Sequence, residues 1–292
     1  MIDDSFYKKT IQQEESVYDE ALLKQKMVAT FQAFDAFCRK HDLKYTVAYG
    51  TMLGAVRHRG LIPWDDDIDV MMPRPDYNRF IELTLKGMAP GYNVLSVYNC
   101  KTYYLTWAKV IDANTTLIEL KHLSECPTGA FIDVFPCDGI PRDAKEMKKN
   151  ERLFYKHQNR VCVLFNKGIH SWKSKLRYLV YKILFNQQKE LLKADQIAQS
   201  TPFESARYVQ FYGEANGLNA AFDKSVFDHY IELPFENSTC KSLAKTEYCL
   251  TKQYGDYMQL PPEENRISHH YHYFVDMNRH WTMEELKSKG II

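Results

Sequence analysis

The 292-residue chain has no run of 18 apolar residues, no CxxC pair and almost no net charge. The first absence argues against a transmembrane helix. The second, together with an odd count of seven cysteines, argues against a zinc site or a disulfide framework. The third, a formal charge of +1, leaves no global field to select nucleic acid or membrane, so no nucleic-acid partner is expected. The opening "MIDDSFYKKTIQQEE" lacks an apolar h-region, so no secretory leader is expected there. Internal repeats and low-complexity segments are absent as well. The expected location is the cytoplasm, with a peripheral position at the inner face of a membrane as the alternative. What is present, 45% hydrophobic and 26% charged residues, suits a globular chain with a sizeable core in one large or two modest domains.

Periodicity supplies the elements. "ALLKQKMVATFQAFDAFCRKHDL" sets Leu23, Met27, Phe31, Phe34 and Cys38 on one helical face. "KYTVAYG" reads as a strand ending at Gly50, with Thr51 as N-cap of a short helix, "MLGAVRH", that Gly60 stops. "IDVMM" reads as a second strand. Pro75 suits the first turn of a helix burying Tyr77, Phe80, Ile81 and Leu85. "YNVLSVYN" and "YYLTWAKVI" read as a hairpin pair, and "AFIDVFP" as a short strand ended by Pro136. Beyond 141 the pattern turns helical and charged. "SWKSKLRYLVYKILF" is amphipathic, with Trp172, Leu176, Leu179, Val180 and Ile183 on one side, inside a basic 167–193 segment. A boundary near 141 divides residues 1–141, a catalytic core with its N-terminal helix, from 142–292, a mainly helical accessory region completing the substrate site.

The chemistry concentrates in "GLIPWDDDIDVMMP", where four aspartates stand within Asp65–Asp69. Alternate side chains of a strand share a face, so Asp67 and Asp69 point together, and Asp65 can join them. Asp66 points away and is expected to bond only local backbone. Carboxylates this close need a cation or a raised pKa, and an all-oxygen site suits Mg²⁺ or Mn²⁺. Asp133 in "FIDVF" is a candidate third ligand from a neighbouring strand. "YGTMLG" sets Gly50 and Thr51 at a helix N-terminus, where backbone N–H groups can take phosphate. Together these suggest metal-assisted phosphoryl or nucleotidyl transfer.

The motifs "YGTMLGAVRHRGLIPWDDDIDVMMPRPDYNRF", "FIDVFPCDGIP" and "YGDYMQLPPEENR" resemble the LicD family, which includes bacterial phosphocholine transferases and animal fukutin-related proteins. The resemblance implies an α/β (α+β) fold: a nucleotidyltransferase-like core with a mixed sheet and a helical C-terminal elaboration. It also implies a CDP-activated donor, commonly CDP-choline, and a glycan hydroxyl acceptor such as a lipopolysaccharide, teichoic acid or capsule precursor. By motif position, Asp67 and Asp69 correspond to the metal pair, Asp133 to the third carboxylate, and Gly50–Thr51 to the phosphate-binding turn. Two departures are visible: Gly-Thr where the wider pattern prefers Gly-Ser, and Cys137 where an aliphatic residue is common.

Other residues keep two readings. Asp65 is a second-metal ligand or a turn residue. Arg57 and His58 meet a donor phosphate or only the helix dipole. Lys109 meets a phosphate or snorkels to solvent. His269, His270 and His272 are a metal cluster or a polar loop. Tyr254 and Tyr257 are a choline-binding aromatic surface or core packing. The basic 167–193 segment touches an anionic membrane or is an ordinary solvated face. The alternative function is a DxD-type sugar-nucleotide glycosyltransferase, though only one strand–helix unit precedes the DxD. A calcium loop fails because position 6 of the count is Val70 and prolines interrupt it. A silent scaffold fits poorly with intact aspartates.

Overall fold

Asp19 accepts a hydrogen bond from the Leu22 N–H and opens helix α1, Glu20–Lys40, which buries Leu23, Met27, Phe31, Phe34 and Cys38 as the spacing predicts. In the computed structural model, residues 19–119, 125–126, 128–166, 171–214, 220–268 and 272–292 are described. The stretch read for a leader, and His269 and His270, lie outside them.

Strand β1 is only Thr46–Val47, and helix α2 begins at once as Tyr49–Arg57. The sequence reading placed this junction three residues late. Tyr49 enters the helix with φ of +47°, Ala48 holds the cap position, and Thr51 is inside the helix rather than its N-cap. Strand β2, Asp69–Pro73, leads directly into α3, Arg74–Thr84, with Pro75 in its first turn. Tyr77, Phe80 and Ile81 are buried there, but Leu85 lies beyond the last turn and is exposed. Strands β3 (Tyr92–Leu95) and β4 (Ala108–Asp112) pair antiparallel, as expected. A short β5, Thr116–Ile118, precedes β6, Phe131–Ile140.

The sheet order is β1-β2-β6-β4-β3, parallel only between β2 and β6. Val70, Val134 and Ala108 align across it and are fully buried in the core that α1 and α3 complete. Phe34 stands edge-on to Tyr45 and Phe80, with ring centroids 5.0 and 5.4 Å away. Cys137 is fully buried in the same core, where it packs as an aliphatic residue would.

Pro136 does not end β6. The Asp133 N–H donates to Ile68 on the β2 side, so by alternation the N–H that proline lacks would face the other side. There β4 pairs only with residues 131–134, and the next partner begins at Asp138. Proline therefore sits in the gap between two partner strands and costs no ladder bond.

Three helices follow residue 141: α4 (Ala144–Phe165), α5 (Trp172–Leu184) and α6 (Gln187–Ala198). The chain then returns to strands. β7 (Tyr208–Gln210) pairs with the far end of β6, and β8 (Phe222–Asp223) pairs with β7. β9 (Tyr230–Phe235) and β10 (Ser238–Leu243) form a hairpin before α7, Thr246–Tyr254. β11 (Phe274–Asp276) pairs with β5, and α8, Met283–Ser288, ends the chain behind a Thr282–Glu285 capping box. Arg74 ties these parts together. Its guanidinium donates to both oxygens of Asp138 on β6, at 2.6 and 2.8 Å, and to Asp195 on α6, at 2.9 Å. Helix α5 buries no residue at all. Among the described residues no helix is long and apolar enough to cross a membrane.

Candidate active site

The parallel register places Asp69 opposite Asp133, and the antiparallel register places Asp133 opposite Lys109. Two carboxylates and an ammonium therefore stand in a row across three adjacent strands, on the face opposite the Val70 row. All three are buried. Lys109 Nζ lies 3.2 Å from Asp133 Oδ1 and 3.7 Å from Glu119 Oε2, over the Phe131 ring. It does not snorkel to solvent, because the strand buries its stem and head together. The Trp107 indole N–H donates to Asp133 Oδ1 at 2.6 Å. Phe135, two residues along the same face, packs with Tyr49, Trp107 and Phe211 at 4.8–5.5 Å between centroids. An aromatic wall thus borders the carboxylates.

Asp67 stands in the extended approach to β2, half-buried like Asp65. Burial pushes the Asp69 carboxyl well above its ordinary value, and Asp67, Asp133 and Asp65 push the same way; only Lys109 opposes them. Burial also raises Asp133, against the pull of Lys109. The four predicted carboxylates are therefore close enough to feel one another. Gly50 touches the group: a Cβ there would lie 2.6 Å from Asp65 Oδ2. Thr51 is buried, and its hydroxyl oxygen accepts the Asp69 N–H at 2.8 Å. The predicted phosphate turn is thus braced directly against the DxD strand.

The donor set fits a hard divalent cation, since it is all oxygen and carries more negative charge than Lys109 offsets. Among the described residues, no three His, Cys, Asp or Glu side chains are arranged to hold a metal alone. Magnesium sites built from one or two carboxylates plus substrate phosphates have this form.

Arg57 turns to the C-terminal loop. Its Nη1 donates to the Tyr257 carbonyl at 3.0 Å and its Nε to His58 Nε2 at 3.0 Å. Trp64 takes Arg57 and Arg266 over its ring, at 6.0 and 5.6 Å from the centroid. Tyr257 is partly buried against the core, while Tyr254 is exposed at the end of α7. Asp66 departs from the sequence reading. It is buried and accepts from Ser268 Oγ at 2.5 Å, with His272 Nε2 at 3.4 Å. Its partners come from 200 residues away, which no local pattern predicts. His272 thus serves a polar tether to the DxD loop.

Sequence reasoning missed Trp107 and Arg266. Both stood inside quoted motifs, and the available signal was an indole two residues before Lys109 and a cation closing an aromatic loop.

A family model described as LicD/FKTN/FKRP, nucleotidyltransferase domain, matches residues 42–167. The lipopolysaccharide cholinephosphotransferase LicD of Haemophilus influenzae is 30% identical over 246 residues, covering 81% of this chain and 90% of that protein. Uncharacterised proteins of Rickettsia typhi and Rickettsia prowazekii are 40% and 41% identical over 55 and 56 residues, 19% of this chain in each case.

Proposed function

The chain belongs to the LicD family, and from that premise we propose that it is a phosphotransferase moving phosphocholine from CDP-choline to a hydroxyl of a cell-surface glycan. The observation that carries the reading is the cross-strand pairing of Asp69 with Asp133 beside Asp67, a buried excess of negative charge. The similarity to a cholinephosphotransferase over most of both chains supports the group transferred.

Asp67 and Asp69 would hold Mg²⁺ or Mn²⁺ together with the donor phosphates, with Asp133 and Asp65 as the neighbouring carboxylates that could join them as the site closes on its ligands. When bound, the ion neutralises charge on the donor phosphates and on the transferring group. The acceptor oxygen attacks the choline-bearing phosphorus, the bond to the CMP phosphate breaks, and CMP leaves. The acceptor proton passes to Asp133, whose carboxylate Trp107 and Lys109 hold in place. Gly50 and Thr51 present helix N-terminal amides to the phosphates. Lys109 supplies positive charge beside Asp133, Arg57 would supply it from the C-terminal loop that its guanidinium holds, and Tyr254 offers an exposed ring for the choline ammonium.

A screen of CMP release from CDP-choline and other CDP-alcohols, run against UDP- and GDP-sugars, tests the reading. Release from CDP-choline is expected. Turnover of a nucleotide sugar alone would replace this reading with the glycosyltransferase one.

Three binding results are expected. Mg²⁺ plus a cytidine nucleotide should raise Tm by more than the sum of their separate shifts, since each supplies what the other needs. Strictly additive shifts in a melting series would argue against a shared site. Gly50→Val should abolish donor binding in calorimetry, because its Cβ must displace the Asp65 carboxylate. Thr51→Ala should cost about 1–3 kcal/mol of stability by stranding the buried Asp69 N–H, and weaken donor binding by roughly tenfold. A folded Gly50→Val that binds donor normally would remove the turn from the site.

A further inference from the structure

We propose that helix α5 is a membrane-docking element that lies on a bilayer carrying anionic headgroups. A surface helix of a globular protein ordinarily turns its apolar stripe inward. Helix α5 does the reverse. Trp172, Leu176, Leu179, Val180, Ile183 and Leu184 are 44–85% exposed. At about 100° per residue these six fall within an arc of roughly 140°. Ser174, Tyr178 and Tyr181 occupy the opposite side and line the clefts against α4. The helix is therefore docked by its more polar face and presents its apolar face outward. An exposed apolar stripe of this kind marks a contact surface rather than ordinary scatter.

Charge selects the occupant. The helix carries Lys173, Lys175, Arg177 and Lys182 and no acidic residue. Lys173 falls within the stripe between Val180 and Leu184 and Arg177 just past that edge, while Lys175 and Lys182 lie past the other; Arg177 and Lys182 also line the clefts against α4. Cations flanking an apolar face, whose long stems reach sideways, are the pattern of a helix lying in the plane of an anionic interface. A second copy of α5 would bring like charges together along both edges, which disfavours a symmetric dimer through this face. Trp172 at the start of the helix adds a ring suited to headgroup depth. A Ser171–Ser174 capping box fixes that end independently of any lipid. The inference stands apart from the reaction, since none of these residues belongs to the carboxylate site.

The test is flotation of the full chain with phosphatidylcholine vesicles, with and without phosphatidylglycerol. Binding to the anionic vesicles is expected, weakening as salt rises. Leu179→Glu with Ile183→Glu should reduce it by about a hundredfold. Lys175→Gln and Lys182→Gln should each reduce it roughly fivefold, on anionic vesicles only. All are exposed, so circular dichroism and Tm should stay unchanged. Iodide quenching of Trp172, read against Trp172→Phe, should be strong in solution and lost on the vesicles. Four results would overturn the proposal. One is wild type that stays unbound at low salt, and a second is a double Glu variant that binds equally well. A third is a Trp172 already shielded without vesicles. The fourth is a dimer by light scattering that the Glu variants dissolve, which would assign the face to a second copy.

Discussion

Asp69→Asn and Asp67→Asn are each expected to lower transfer by about a thousandfold at saturating Mg²⁺, while the folded, metal-free protein melts no lower than wild type. The loss follows from removing a ligand and the charge it contributes where phosphate charge must be offset. The stability follows from the carboxylates themselves. Asp69 is buried and is repelled by Asp67, Asp133 and Asp65, so its folded state holds a proton above the ordinary value of 3.8. With more protons bound in the folded state, stability falls as pH rises from that value through the raised one. Asparagine cannot ionise and removes this part of the slope. In a chelator-containing melting series, the Tm advantage of Asp69→Asn should open as pH rises and close below about pH 4. Asp66→Asn is the control. It loosens the tether to Ser268 and His272 and should retain far more turnover. Near wild-type transfer by Asp69→Asn would remove the metal assignment.

Arg74→Ala should destabilise the fold by about 3–5 kcal/mol, because it leaves the buried carboxylates of Asp138 and Asp195 without their cation. For a chain of this size that is on the order of a 10 °C fall in Tm. Burial already raises Asp138, and Arg74 is the group that pulls it back. Arg74→Lys keeps the charge but cannot span both oxygens of Asp138 and reach Asp195, so it should recover only part of the loss. Urea denaturation midpoints measure both. A cost below about 1 kcal/mol for Arg74→Ala would mean that water reaches the network and screens it.

The parts of this molecule legible in its sequence are those whose cause is local. Helix α1 announced itself through five apolar residues at helical spacing, and α3 through Pro75 and Tyr77, Phe80 and Ile81. The DxD strand was readable because alternation alone puts Asp69 on the face opposite Val70. The junction at Tyr49 was not, since "KYTVAYG" has strand propensity throughout. Pairing ends after Val47, where the Ala48 N–H takes the Asp69 carbonyl and the chain turns through a positive φ. Pro136 misled for a related reason: whether a proline ends a strand depends on which side its missing N–H faces. The small strands of the back half exist only through distant partners, Tyr208 with Ile140 and Phe274 with Ile118, so no window of sequence contains them. The pairing of Lys109 with Asp133 was hidden likewise until a register was known. The amphipathicity of α5 was visible, but periodicity does not say which face looks outward.

Strand β6 has a bearing on how such a protein can be inherited. Phe131–Cys137 face β2 and β4, and the end, Asp138–Ile140, is completed by β7, some 70 residues later. The stretch that the family model matches, residues 42–167, stops before Asp195 and β7 and omits α1 in front. The unit that the family model delimits is therefore not a unit that recombination could move intact. A crossover after residue 167 would join Arg74 and Asp138 to a foreign counterpart of Asp195, and Ile140 to a foreign edge strand. Exchange between relatives would then proceed by substitution, or by transfer of nearly the whole chain, rather than by shuffling a catalytic cassette.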